Sequence, residues 1–86
     1  MSRLDQLKAQ IYSIAASTDN QANQLKGVAQ GIQAKTGVVS SEIGGTASGS
    51  DTKIINSFTR AQQAVDQAAN ALLVAASKAR EWADKA

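Results

Sequence analysis

The sequence predicts an all-α protein: an antiparallel two-helix hairpin that assembles into a four-helix bundle. Three observations carry this. Apolar residues recur three and four apart in both halves of the 86-residue chain, the stretch between the halves is rich in Gly and Ser without any period, and no proline interrupts either half.

The first helix is expected over about residues 3–36. Its stripe runs Leu4, Leu7, Ile11, Ile14, Leu25, Val28, Ile32 and on to Val39, with Thr18, Gln21 and Lys35 as polar interruptions on the same frame. Ser2, with Asp5 three residues later, reads as a capping box whose acid is one carbon short. Gly27 and Gly31 each carry a helix penalty of about 1 kcal/mol relative to Ala. They are read either as tolerated glycines or as a bare ridge that another helix approaches closely.

The loop is expected over about residues 37–50, where four Gly and four Ser accompany the single charge of Glu42. Helix-helix links are usually about 2–8 residues, so a connection of this length is either mobile or functional.

The second helix is expected over about residues 51–85, with Ser50 or Asp51 as its N-cap. Its main stripe is Ile54, Phe58, Ala61, Val65, Ala68, Leu72, Ala75, Ala79, Trp82 and Ala86, and beside it lies a second strip of Ile55, Ala69, Leu73 and Ala76. The main stripes are expected to form the seam of the hairpin, and Tyr12, next to Ile11, is expected to flank either the seam or the second surface. The second strip then remains as an assembly surface, because two helices alone bury one seam and too little apolar area to offset the ordering of the chain. The partner is a second copy of the chain or a heteromeric helical protein.

Composition narrows the function. The chain has no His and no Cys, which removes the commonest general base, the commonest metal ligand and any disulfide framework. Its acids are scattered, and the Gly44-Gly45 segment lacks the Lys and Ser or Thr of a phosphate-binding loop. Ser77 and Lys78 are adjacent and point to different sides of a helix, so they make no dyad. An enzyme is not expected, and neither are a catalytic site, a metal or a cofactor. The net charge of +2 comes from cations spread along the chain, which is not the footprint of a nucleic-acid binder. No run approaches the ~18 apolar residues of a membrane span and no apolar signal segment opens the chain, so stable membrane insertion is not expected. The chain reads as cytoplasmic when made, and any export would proceed without a cleaved signal.

In size, composition and two-helix organisation, the chain resembles the small WXG-type (ESAT-like) helical-hairpin proteins of type VII secretion systems. The resemblance spans the whole sequence. Those proteins carry Trp-x-Gly at the turn, where this chain has Ile43-Gly44-Gly45 with Ile in the Trp place. Their second helix ends in an aromatic followed four residues later by an acid; here Trp82 stands in the aromatic position and Ala86 in the acidic one. The resemblance implies a homo- or heterodimeric four-helix bundle, secreted or acting as the targeting partner of a larger secreted toxin of the LXG class. The residues assigned to partner binding are Ile54, Ile55, Phe58, Val65, Leu72, Leu73 and Trp82. For Trp82 the reading is either plain seam or a buried aromatic anchor for the partner. Two other readings stay open. One is a subunit of a helical filament such as a type III secretion needle, although those hairpins turn at a proline-containing segment and this chain has none. The other is a surface-active amphipathic peptide, for which +2 is weak support.

Overall fold

A computed structural model of the protein describes the backbone of residues 2–43 and 49–86 and the side chains of residues 2–42 and 52–86. Two helices, α1 (Arg3–Ile43) and α2 (Gly49–Lys85), pack along one another, and no strand occurs among the described residues. The Cα envelope measures 67 × 15 × 13 Å and the radius of gyration is 19.4 Å, against about 12 Å for a compact globule of this length. This is a rod one hairpin thick, with no second layer over it.

The start of α1 is as expected. The Asp5 N–H donates to Ser2 Oγ at 3.0 Å and the Gln6 N–H to the Ser2 carbonyl at 3.1 Å, so Ser2 caps the helix. The loop expected over 37–50 is too long, because α1 continues through Gly37 to Ile43. One glycine costs a helix about 1 kcal/mol, whereas a proline would have stopped it. The extra turns also keep Thr36, Val39 and Ser40 half-buried on the side facing α2, and Thr36 Oγ1 donates to the Ile32 carbonyl at 2.7 Å. α2 begins at Gly49, so Ser50 and Asp51, expected as caps, fall within its first turn. Their side chains lie outside the described residues, as do Gly44, Gly45 and the Ile43 side chain of the turn motif. At the other end, Lys85 sits in the last turn beside the negative pole of the α2 dipole and pairs with Glu81 at 3.2 Å.

The seam is built of alanine. Ala15, Ala22 and Ala29 recur every seven residues on α1, Ala69, Ala76 and Ala83 do so on α2, and all six are between 0% and 4% exposed. Four cross-helix hydrogen bonds set the register. The Tyr12 hydroxyl donates to Asp84 Oδ1, Arg80 Nη2 donates to Asp19 Oδ2, and Lys26 Nζ donates to Asp66 Oδ1 at 3.2 Å and Asn70 Oδ1 at 2.8 Å. Ascending α1 is thus matched by descending α2. That register brings Ala15, Ala22 and Ala29 to the levels of Ala83, Ala76 and Ala69. A methyl facing a methyl at three successive levels lets the two backbones approach closely.

This exchanges the two surfaces expected on α2. The strip of Ile55, Ala69, Leu73 and Ala76 belongs to the hairpin's own seam, with Ile55 and Leu73 half-buried, so it is not the free assembly surface. Within the stripe expected to form the seam, Ile54, Phe58 and Trp82 are exposed, as are Leu4, Leu7, Ile14 and Val28 on α1. Both stripes obey the same helical period, so periodicity cannot rank them. Size does: a column of alanines admits the closest helix pair, whereas Phe, Trp and Ile would hold the helices apart.

Candidate interaction surface

Handedness sorts the side chains beside the alanine column onto two edges. When right-handed helices run antiparallel with their alanines facing, residues three beyond an alanine on both helices come to one side, and residues four beyond come to the other. Tyr12, Asp19, Lys26, Asp66 and Arg80 all lie on the four-beyond side, with Asp84 and Asn70 next to it. One long edge of the rod is therefore a polar clasp.

The opposite edge is apolar. On α1 it carries Leu4, Ile11, Leu25, Ile32 and Val39 nearest the seam, with Leu7, Ile14 and Val28 outside them. On α2 it carries Phe58, Val65, Leu72 and Ala79 nearest the seam, with Ile54, Ala61, Ala68, Ala75 and Trp82 outside. Of the ten large apolar side chains exposed in the described residues, seven lie on this one face: Leu4, Leu7, Ile14, Val28, Ile54, Phe58 and Trp82, each between 43% and 63% exposed. Tyr12 belongs to the clasp, Val38 stands at the outer border of the face on the heptad position of Arg3, and Val74 is isolated elsewhere. Isolated exposed apolar residues are ordinary, but a contiguous strip along a whole rod is the mark of an interaction surface. The exposed area agrees: the chain presents 6085 Å², against about 4,800 Å² for a globular monomer of this mass.

The two sides of the strip differ in relief. α1 contributes a ridge of Leu, Ile and Val side chains, while α2 contributes Ala61, Ala68 and Ala75 at seven-residue steps, which rise about 10 Å each along the axis. The α2 alanines thus form a low outer row, flanked on the seam side by Phe58, Val65 and Leu72, with Ile54 towards one end of the row and Trp82 towards the other.

Charge divides along the same line. On the clasp edge stand Asp5, Asp19, Asp66 and Asp84 with Lys26 and Arg80. The apolar face holds Lys35 and Glu42 at its α1 margin, and Arg3, Lys78 and Lys85 border it near the open end of the hairpin. Lys53, Arg60 and Glu81 point away from both. Among described side chains, the rim of the apolar face therefore carries four cations and one acid, and the opposite edge is the acidic one.

On the clasp, the hydrogen bond from the Tyr12 hydroxyl to Asp84 raises the Tyr12 pKa above its ordinary value of 10.0, with smaller contributions in the same direction from desolvation and from the Asp84 charge. Among the described residues no group of three or more Asp or Glu side chains is placed to hold a metal ion. The best-formed surface depression is an open one, lined by Arg3, Leu4, Gln6, Leu7 and Gln10 along the first turns of α1. No described helix is long and apolar enough to cross a membrane.

The structure thus distributes the seven residues assigned to partner binding over both sides of the rod. Ile54, Phe58 and Trp82 lie on the apolar face, Val65 and Leu72 lie half-buried at its inner margin, and Ile55 and Leu73 line the hairpin's own seam. Leu7, Ile14 and Val28 join the face from α1. The recurrence of alanine at 15, 22 and 29 and again at 69, 76 and 83 was the signal in the sequence that marks the true seam. No family model matches this chain, and neither does any curated protein or solved structure.

Proposed function

We propose that the protein is a non-enzymatic docking module whose apolar face binds a helical partner, completing the helix bundle that the hairpin begins. The carrying observation is that, among the described residues, seven of the ten exposed large apolar side chains share one face while the fully buried positions of the seam are all alanine. Burying that face against further helices adds the missing second layer. Nothing in this role needs a reacting group, in keeping with a chain that has no His, no Cys and only scattered acids.

The setting we propose is a type VII secretion pathway, in which the hairpin pairs with the helical region of an exported protein. The support is the resemblance of the architecture: two long helices of similar length and Trp82 near the end of α2. The test is co-expression with the product of a neighbouring gene, followed by purification through a tag on the hairpin. A stoichiometric complex is expected, and Trp82→Ala should weaken it at least tenfold while leaving helicity nearly unchanged, because the side chain is half exposed in the lone hairpin. Loss of helicity in step with loss of binding would make Trp82 part of the fold. Filaments of the hairpin alone under the electron microscope would move the protein to a structural class.

A further inference from the structure

The partner can be specified further from the charge and relief of the face. Resting on the docking role proposed above, we infer that the occupant is a different chain: an amphipathic helix with a seven-residue apolar repeat and acidic flanks, seated over the row of α2 alanines on the apolar face.

Relief argues for a helix. Ala61, Ala68 and Ala75 repeat at the spacing with which a partner helix presents its own side chains, so its larger residues can settle over them while Phe58, Val65 and Leu72 wall the seam side. A lipid surface needs apolar area but no such periodic floor.

Charge argues for an acidic partner and against a second copy. Laid face to face about a two-fold axis along the rod, two copies bring their open ends together, and the Arg3, Lys78 and Lys85 of each meet the same cations of the other. A two-fold axis across the rod instead sets Arg3 against Lys35 and Glu42, the one acid among the described side chains of the rim. Among the described side chains, Asp5, Asp19, Asp66 and Asp84 lie on the clasp edge, turned away, with Asp19 and Asp66 engaged by Arg80 and Lys26. Lys85 is paired only with Glu81 of its own helix, at the surface, a contact that solvent weakens and a partner carboxylate can replace. A helix flanked by Glu or Asp answers the basic rim and the apolar floor together.

Trp82 is the only tryptophan and lies on the face, so its fluorescence reports occupancy directly. The whole chain is titrated with two synthetic amphipathic helices that share one Leu/Ala stripe, one flanked by Glu and the other by Lys, and separately with vesicles of phosphatidylserine and phosphatidylcholine. Sedimentation of the chain alone accompanies the titrations. The expected result is a monomer in isolation, a Trp82 blue shift with the Glu-flanked helix, binding that weakens as salt is raised, and at least tenfold weaker binding of the Lys-flanked helix. Arg3→Glu combined with Lys78→Glu should reverse the preference without changing helicity. Equal binding of both helices would overturn the acidic partner while leaving the docking role standing. A dimer of the chain alone that binds neither helix would overturn it in favour of a second copy, and a Trp82 shift with vesicles but with neither helix would do so in favour of a membrane surface.

Discussion

Replacing Ala76 by Leu should destabilise the hairpin, while the same replacement one residue earlier, at Ala75, should not. Ala76 is 2% exposed in the seam and Ala75 is exposed on the apolar face. Leucine adds three carbons, and inserting such volume into a closed packing site typically costs about 1–3 kcal/mol. For a domain of this size that corresponds to a fall in melting temperature of roughly 4 to 24 °C. Ala75→Leu adds the same carbons to open space, and because Ala and Leu differ little in helix propensity the expected change is within about 0.5 kcal/mol. Ala22→Leu, at the same level of the seam on α1 and 0% exposed, should behave like Ala76→Leu. The two together should be non-additive, since once one leucine has pushed the helices apart the second meets less resistance. Thermal and urea unfolding followed by circular dichroism measure all four variants. If Ala75→Leu proved the more damaging, the seam would lie on the stripe of Phe58 and Trp82 and the face described here would be the core.

Other outcomes follow from local features. Gly27 and Gly31 are helical and a Cβ at either would meet nothing within 4 Å, so Gly27→Ala and Gly31→Ala should each raise stability by about 0.5–1 kcal/mol in the same unfolding assay. Ser2→Ala removes the acceptor of the Asp5 N–H and should cost about 1 kcal/mol, seen as faster amide exchange confined to the first turn of α1. Tyr12 is the only tyrosine, so absorbance near 295 nm follows it alone, and its midpoint should lie above 10.0 and return towards it in Asp84→Ala. Because its folded pKa is raised, the Tyr12–Asp84 contact contributes fully below the unfolded value and is lost as pH rises through the folded one, so this part of the stability disappears only in strong alkali.

What the sequence makes legible depends on the range over which each signal acts. The helical class, the N-terminal cap at Ser2 and the pairing of two long elements follow from short-range period and capping chemistry, and the structure has all three. The expected loop overlaps the end of α1 because Gly37, Ser40 and Ser41 resemble a break, whereas the deciding quantity, burial of Thr36 and Val39 against α2, is a tertiary one. The seam is hidden in the sequence for a related reason. Weighting residues by hydrophobicity favours the stripe of Phe58, Leu72 and Trp82, but close packing of two helices rewards small side chains at a fixed step. The clasp needs the register between helices before Tyr12 can be matched to Asp84 or Asp19 to Arg80, and nothing local encodes that. Hence the individual residues of the face were visible, but not the side of the rod to which they belong.

The division of labour between small and large side chains has an energetic consequence. An alanine seam holds the helices close but removes little apolar surface per residue, so the stability of the lone hairpin is expected to lie at the low end for its length. The large side chains, which would bury most area, are held on the outside. Each contributes to the folded state in full only when another surface covers it. A partner that binds the folded hairpin and not the unfolded chain then stabilises it by mass action, about 2.7 kcal/mol at a concentration one hundred times its dissociation constant. Under the docking role proposed above, such an increment would be a substantial fraction of what a domain of this size possesses, coupling folding to docking more tightly than in a domain with a core of its own. The polar clasp lies on the edge away from the face. Asp19, Arg80, Lys26 and Asp66 hold the register while the face is empty, and because they stand clear of it, a partner can seat without breaking them.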